Sequence, residues 1–249
     1  MSDKVLLVTG GGRGIGAATC RLAGTRGFAV AVNYRDNEEA AAQVVAEIER
    51  AGGRAAAIRA DVARESEVER LFAETEARLG PITHLVNNAG VTGRAGRLDD
   101  VATETLRAVF DLNILGAFLC ARAAARRMST RHGGRGGAIV NISSGAATLG
   151  SPGEWIWYAA SKAAVDTLTL GLSRELAREG VRVNSVQPGL VDTEIHLSSG
   201  IEDRVRKLAP NIPMGRAGTA DEIAETILFL LSDAAAYVTG AVLRVAGGR

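Results

Sequence analysis

The chain has 249 residues, 47% of them hydrophobic, enough to bury one large core without a second domain. Twenty-nine basic side chains stand against 28 acidic ones, and the net charge of +1 excludes bulk electrostatic attraction to nucleic acid or to an anionic membrane. Cys20 and Cys120 sit in apolar, helix-like stretches without the spacing of a metal site or redox pair, so no metal is expected and a reducing, cytoplasmic compartment is.

Runs at 5–8, 29–32, 55–58, 84–86, 138–142, 181–186 and 241–245 are apolar on both faces, which predicts strands of a parallel sheet covered by helices. Between them helices are predicted at 14–26, 37–51, 65–79, 103–128, 157–178 and 220–231, several closed by glycine. Strict alternation predicts one α/β domain over 1–249, a Rossmann-type, doubly wound sheet of seven parallel strands with helices on both faces and ligands at the strands' carboxyl ends. The first apolar run breaks at Gly10, too early for a secretory leader, and no stretch is expected to approach the ~20 apolar residues of a membrane span. The punctuated segment 188–213 is long for a connection and reads as a substrate lid.

The turn after the first run, Thr9 to Gly16, opens a helix, the context in which glycines serve phosphate binding. Without Cβ atoms, its N–H groups can approach a pyrophosphate backed by the helix N-terminus. The second strand chooses between cofactors: an acid at its tip would bond the ribose 2′-hydroxyl, whereas a base would accept a 2′-phosphate. It ends Asn33, Tyr34, Arg35, with no acid, and Arg13 lies inside the glycine turn, so two guanidiniums can flank one phosphate. NADP(H) is the expected cofactor.

Tyr158 and Lys162 are four apart at the start of a predicted helix and share a face. A free tyrosine, with a pKa of about 10, is a poor base at neutral pH, and a fixed positive charge beside it favours phenolate. Tyr158 is therefore expected to donate a proton in reduction and accept one in oxidation.

Gly10, Gly14 and Gly16 follow T-G-x-x-x-G-x-G, and together with Tyr158 and Lys162 the chain resembles the short-chain dehydrogenase/reductase family over residues 4–248. The resemblance implies cofactor contacts from Gly10, Gly12, Arg13, Gly14, Ile15, Gly16, Asn33, Tyr34 and Arg35, from Asp61 and Val62 for adenine, and from Asn88, Ala89 and Gly90 of an N-N-A-G segment. It also implies nicotinamide contacts from Pro188, Gly189, Val191 and Thr193 of P-G-x-x-x-T, and from Tyr158 and Lys162. It makes Asn113, Ser144, Tyr158 and Lys162 the catalytic set: Asn113 interrupts helix bonding and holds a relay water, and Ser144, preferred to Ser143, polarises the substrate oxygen. Ser144 and Tyr158 are fourteen apart, one more than the family spacing, which puts an extra residue in the loop 152–157.

A small-molecule carbonyl or alcohol is the implied substrate, and a homotetramer using the small-residue face Ala159, Ala160, Ala163 and Ala164 is the implied assembly. Members akin to glucose dehydrogenases and 3-oxoacyl-carrier-protein reductases look most similar; enoyl reductases space tyrosine and lysine differently. Trp155 and Trp157 read equally as walls for an apolar substrate or as packing at a subunit contact, and His196 as a solvated lid residue. Arg122, Arg126, Arg127, Arg131 and Arg135 form an acid-free tract that would suit an acidic carrier protein or simply face water. Ala246, where many members carry an acid, is expected to bear on a subunit contact more than on the chemistry. A cofactor-binding regulator without turnover is the competing function.

Overall fold

A strand covered by helices on both sides must be apolar throughout. In a computed structural model of the chain, describing residues 4–193 and 203–249, β1 (Val5–Val8) and β4 (His84–Asn87) are buried at every residue. With β2 (Ala29–Tyr34), β3 (Arg54–Arg59), β5 (Gly137–Ile142), β6 (Val181–Pro188) and β7 (Val242–Val245) they form one seven-stranded sheet in the order β3-β2-β1-β4-β5-β6-β7. Every pairing is parallel; Leu6 lies beside both Val30 and His84. The order reverses between β1 and β4, and there the crossovers leave a crevice at the strands' carboxyl ends.

Two cores result, one on each face. α1 (Gly14–Thr25), α2 (Glu38–Arg50) and α9 (Ala220–Leu231) bury Cys20, Val44, Ile48 and Ile227 against Leu6, Val30 and Val140. α3 (Glu65–Leu79), α5 (Ala117–Met128) and α7 (Ile156–Leu176) bury Leu71, Phe72, Cys120, Met128 and Leu176 against Leu7, Leu85 and Ile139. α9 starts on a reciprocal cap: Thr219 accepts from the Glu222 N–H and Glu222 from the Thr219 N–H.

The expected helix 103–128 is not uniform. α4 (Thr103–Phe110) passes into a π-helical turn, Asp111–Gly116, before α5. This 26-residue run is also long and apolar enough to cross a bilayer, contrary to expectation. Leu119, Cys120, Ala123, Ala124 and Met128 explain its composition, since they lie in the core beside the sheet. Two short helices went unforeseen, α6 (Ala146–Leu149) and α8 (Arg204–Leu208). Of the small-residue face on α7, Ala159 turns inward and is buried, while Ala160 is exposed.

Candidate active site

The glycine turn is fixed by polar groups around it. Thr9 Oγ1 accepts from the N–H groups of Asn88 and Ala89, and the Asn88 amide donates to Thr9 O and Gly10 O, so β1 and β4 are clasped at the crevice. Asn33 Oδ1 accepts from the Gly10 N–H while its Nδ2 donates to Ile58 O and Ala60 O. This asparagine is 2% exposed, so it shapes the cofactor cradle through its backbone partners. Gly10 and Gly14 take left-handed φ of 62° and 50°. A Cβ on Gly16 would lie 2.4 Å from Gly10 O; this glycine permits the close turn and stands behind the cradle. α1 begins without a capping side chain, which leaves first-turn N–H groups for an anion.

Gly10, Gly12, Arg13, Gly14, Ile15, Asn33, Tyr34, Arg35, Asp61, Val62, Asn88, Ala89 and Gly90 line one cleft of about 860 Å³, which fits an adenine nucleotide. Arg13 is exposed at its rim. Arg35 Nε lies 2.6 Å from Asp36 Oδ2, with both side chains more than half exposed, a pair worth at most about 1 kcal/mol and one that a phosphate can displace.

A second cavity, of about 460 Å³, continues from the first through Ile15, Asn88, Gly90 and Thr193. Ser144, Tyr158, Lys162, Pro188, Gly189 and Val191 face it, among Leu149, Pro152, Trp155, Leu190 and Leu208. Of the two serines, Ser143 Oγ donates to Lys162 O and is 2% exposed, whereas Ser144 lines the cavity with Tyr158. Between Ser144 and Tyr158, Gly150, Ser151 and Gly153 take left-handed φ.

Lys162 Nζ donates to Ile142 O at 2.7 Å and sits 5.7 Å from the Tyr158 ring centroid. Burial pulls its pKa down to about 8, the Asp166 carboxylate opposing. Burial also pushes the Tyr158 phenol above its ordinary value, with the Ser144 hydrogen bond only partly countering it. The lowering expected from Lys162 does not enter in the nucleotide-free chain, where burial and Ser144 are the causes that act on this phenol.

Asn113 sits in the π-helical turn, and its amide is spoken for: Oδ1 accepts from the Val91 N–H, and Nδ2 donates to Val91 O and Ser161 Oγ. The side chain ties the segment after β4 to α7. A Cβ on Gly90 would come within 3.3 Å of both Asn113 Oδ1 and Lys162 Nζ, so Gly90 lets these groups converge.

Trp157 is not at the mouth. It is 2% exposed, donates to Thr92 O and, with Val109 and Trp155, makes a small core under the segment after β4. Trp155 donates to Gly93 O and also lines the second cavity. Ala246 lines the cavity, and a Cβ on Gly189 would fall 2.7 Å from its Cα. Arg122, Arg126 and Arg127 pair with Glu65, Glu69 and Glu76 of α3, which a reading of the tract alone could not show. Glu154 and Arg204, paired across the cavity, were missed because 50 residues separate them without a motif. His196 lies outside the described residues. Among the described residues no His, Cys, Asp and Glu cluster suits a metal ion.

A family model described as enoyl-(acyl carrier protein) reductase matches residues 10–249. An uncharacterized oxidoreductase, YgfF, of Escherichia coli is 48% identical over 98% of this chain and 99% of its own. A 3-oxoacyl-[acyl-carrier-protein] reductase of Synechocystis is 42% identical, covering 100% and 97%. Among solved structures, a Burkholderia cenocepacia short chain dehydrogenase in complex with NADP superposes with a TM-score of 0.90 at 36% identity, covering 98% and 97%. A Brucella melitensis 3-ketoacyl-(acyl-carrier-protein) reductase complexed with NADH reaches 0.92 at 30%, covering 100% and 98%. With the glycine turn, the Tyr158–Lys162 pair and these full-length matches in agreement, the chain belongs to the short-chain dehydrogenase/reductase family of nicotinamide-dependent oxidoreductases.

Proposed function

We propose that the chain moves a hydride between NADP(H) and a carbonyl or secondary alcohol, with Tyr158 as general acid and base. The observation that carries this reading is that Ser144, Tyr158 and Lys162 face one largely apolar cavity continuous with the nucleotide cleft. When bound, the nicotinamide supplies or takes the hydride and, oxidised, adds a positive charge beside the phenol. Ser144 donates to the substrate oxygen, and Tyr158 gives that oxygen a proton in reduction and removes it in oxidation. A pKa of about 8 keeps Lys162 mostly protonated at neutral pH, the state in which it supports a phenolate. Asn113 acts as a positioning residue through Val91 and Ser161. Arg13 and Arg35, with no acid at Asn33 or Tyr34, support the choice of NADP(H). The described parts of 188–213 wall the cavity and would act as its lid.

A narrower reading, reduction of 3-oxoacyl groups on a carrier protein, is favoured by the Synechocystis relative's name. Against it, three arginines of the expected docking tract are already paired within the chain. Tyr158 and Lys162, four apart, support carbonyl rather than enoyl reduction. Exposed Phe110, Leu115, Phe118 and Leu170 support assembly as a homotetramer, and two buried free thiols support a cytoplasmic setting.

The test is oxidation of NADPH, then NADH, against ketones, 3-oxoacyl thioesters and sugars, wild type beside Tyr158→Phe. Turnover that prefers NADPH and vanishes in the variant is expected. Nucleotide binding with no turnover on any substrate would favour a cofactor-binding regulator.

A further inference from the structure

The substrate cavity holds one charged pair that the chemistry above does not use. Arg204, the first residue of α8, and Glu154, in the loop before α7, meet across it through Arg204 Nη1 and Glu154 Oε1. The guanidinium lies over Trp155, with Cζ 4.6 Å from the ring centroid, and the Arg204 side chain is only 13% exposed. Its Nε is buried without a hydrogen-bond partner. An orphaned donor on a charged group is costly, and a cavity-lining one is relieved by an acceptor that arrives with the ligand.

We propose that Arg204 is a specificity-determining residue which takes a second, neutral oxygen of the substrate, an oxo, ester or hydroxyl group distant from the reacting carbonyl. This rests on the carbonyl oxidoreductase reading and deepens it. A neutral oxygen follows from Glu154: the guanidinium already has its counter-charge, and a carboxylate brought to Nε would also face the Glu154 carboxylate. The walls Leu149, Trp155 and Leu208 set the rest of the class, an apolar carbon framework. Stacking on Trp155 and pairing with Glu154 hold the planar guanidinium in a fixed orientation against the cavity wall.

The experiment compares kcat/KM for a bicyclic monoketone (decalone), decalindiones bearing the second oxygen on the far ring, and the far-ring decalone carboxylate. Wild type, Arg204→Met and the double variant Arg204→Met/Glu154→Gln are used, the last so that no unpaired carboxylate confounds the result. The dione-to-monoketone ratio is expected to fall about tenfold or more in both Arg204 variants, the worth of a buried hydrogen bond to a charged group. A ratio that does not move, even if both rates drop together, would show that Arg204 only supports the cavity wall and would overturn the proposal. Glu154→Gln alone is expected to raise the carboxylate's kcat/KM; no rise would overturn the argument for a neutral oxygen. Should wild type reduce none of the ketones, the oxidoreductase reading fails separately, and thermal shift with NADPH and the diones decides Arg204: stabilisation by a dione that Arg204→Met removes supports it, and none in wild type overturns it.

Discussion

The nucleotide end of the crevice is built from backbone and locked by hydrogen bonds, while the substrate end is built from side chains on loops and short helices. At the first, Thr9, Asn33 and Asn88 tie three strand ends together around glycines that admit no Cβ. At the second, Leu149, Trp155, Leu190, Arg204 and Leu208 come from separate connections. Rigid backbone suits a constant ligand, and exchangeable side chains suit a variable one. Tyr158 and Lys162 stand on the boundary, on the long buried helix α7.

The sharpest way to break this division is Tyr158→Phe. It removes the proposed proton donor by the loss of one hydroxyl, and kcat is expected to fall about a hundred- to ten-thousandfold while the dissociation constant for NADPH holds, measured by single turnover and fluorescence titration. Retained activity would move the chemistry to another group.

Lys162 gives the next effect. Its value in the folded protein, about 8, lies below the ordinary 10.5, so between those pH values the unfolded chain binds more protons. The destabilisation is complete below about pH 8 and lifts as pH rises towards 10.5, amounting to a few kcal/mol. Thermal melts of the nucleotide-free protein should show this rise relative to Lys162→Met; parallel curves would contradict it.

Gly16→Ala attacks the backbone end. Its Cβ would meet Gly10 O at 2.4 Å, so a loss of about 1–3 kcal/mol in stability and a sharp loss of nucleotide affinity are expected by denaturant melt and titration. Arg13→Ala and Arg35→Ala are the mildest. Each should weaken NADPH by about tenfold and leave NADH unchanged, since only the 2′-phosphate reaches them. Equal losses for both cofactors would remove the reason for choosing NADP(H).

The same division governs what could be read in advance. The inner strands were legible because burial on both faces leaves unbroken apolar runs, whereas the edge strands β3 and β7 are only partly buried; β2 extends to Tyr34 and β3 begins at Arg54. The glycine turn was legible because backbone constraints select a residue type at fixed spacing. The π-helical turn could be anticipated at Asn113 only from the family, since the partners of that amide, Val91 and Ser161, are distant in the sequence. Trp157 was misplaced because a tryptophan between a loop and a helix looks the same in sequence whether it faces a mouth or a small core. For Tyr158, spacing shows the neighbouring charge and hides the burial that raises the phenol.

The two cysteines lie on opposite faces of the sheet, Cys20 in the layer of α1 and α9 and Cys120 in that of α3 and α7. Burial raises both thiols far above neutrality, Cys120 to about 12, so neither reacts while its layer is closed. Each thiol is thus a native stopwatch for one layer. Unequal labelling rates would show one half of the sandwich breathing independently, and equal rates would show that it opens only as a whole.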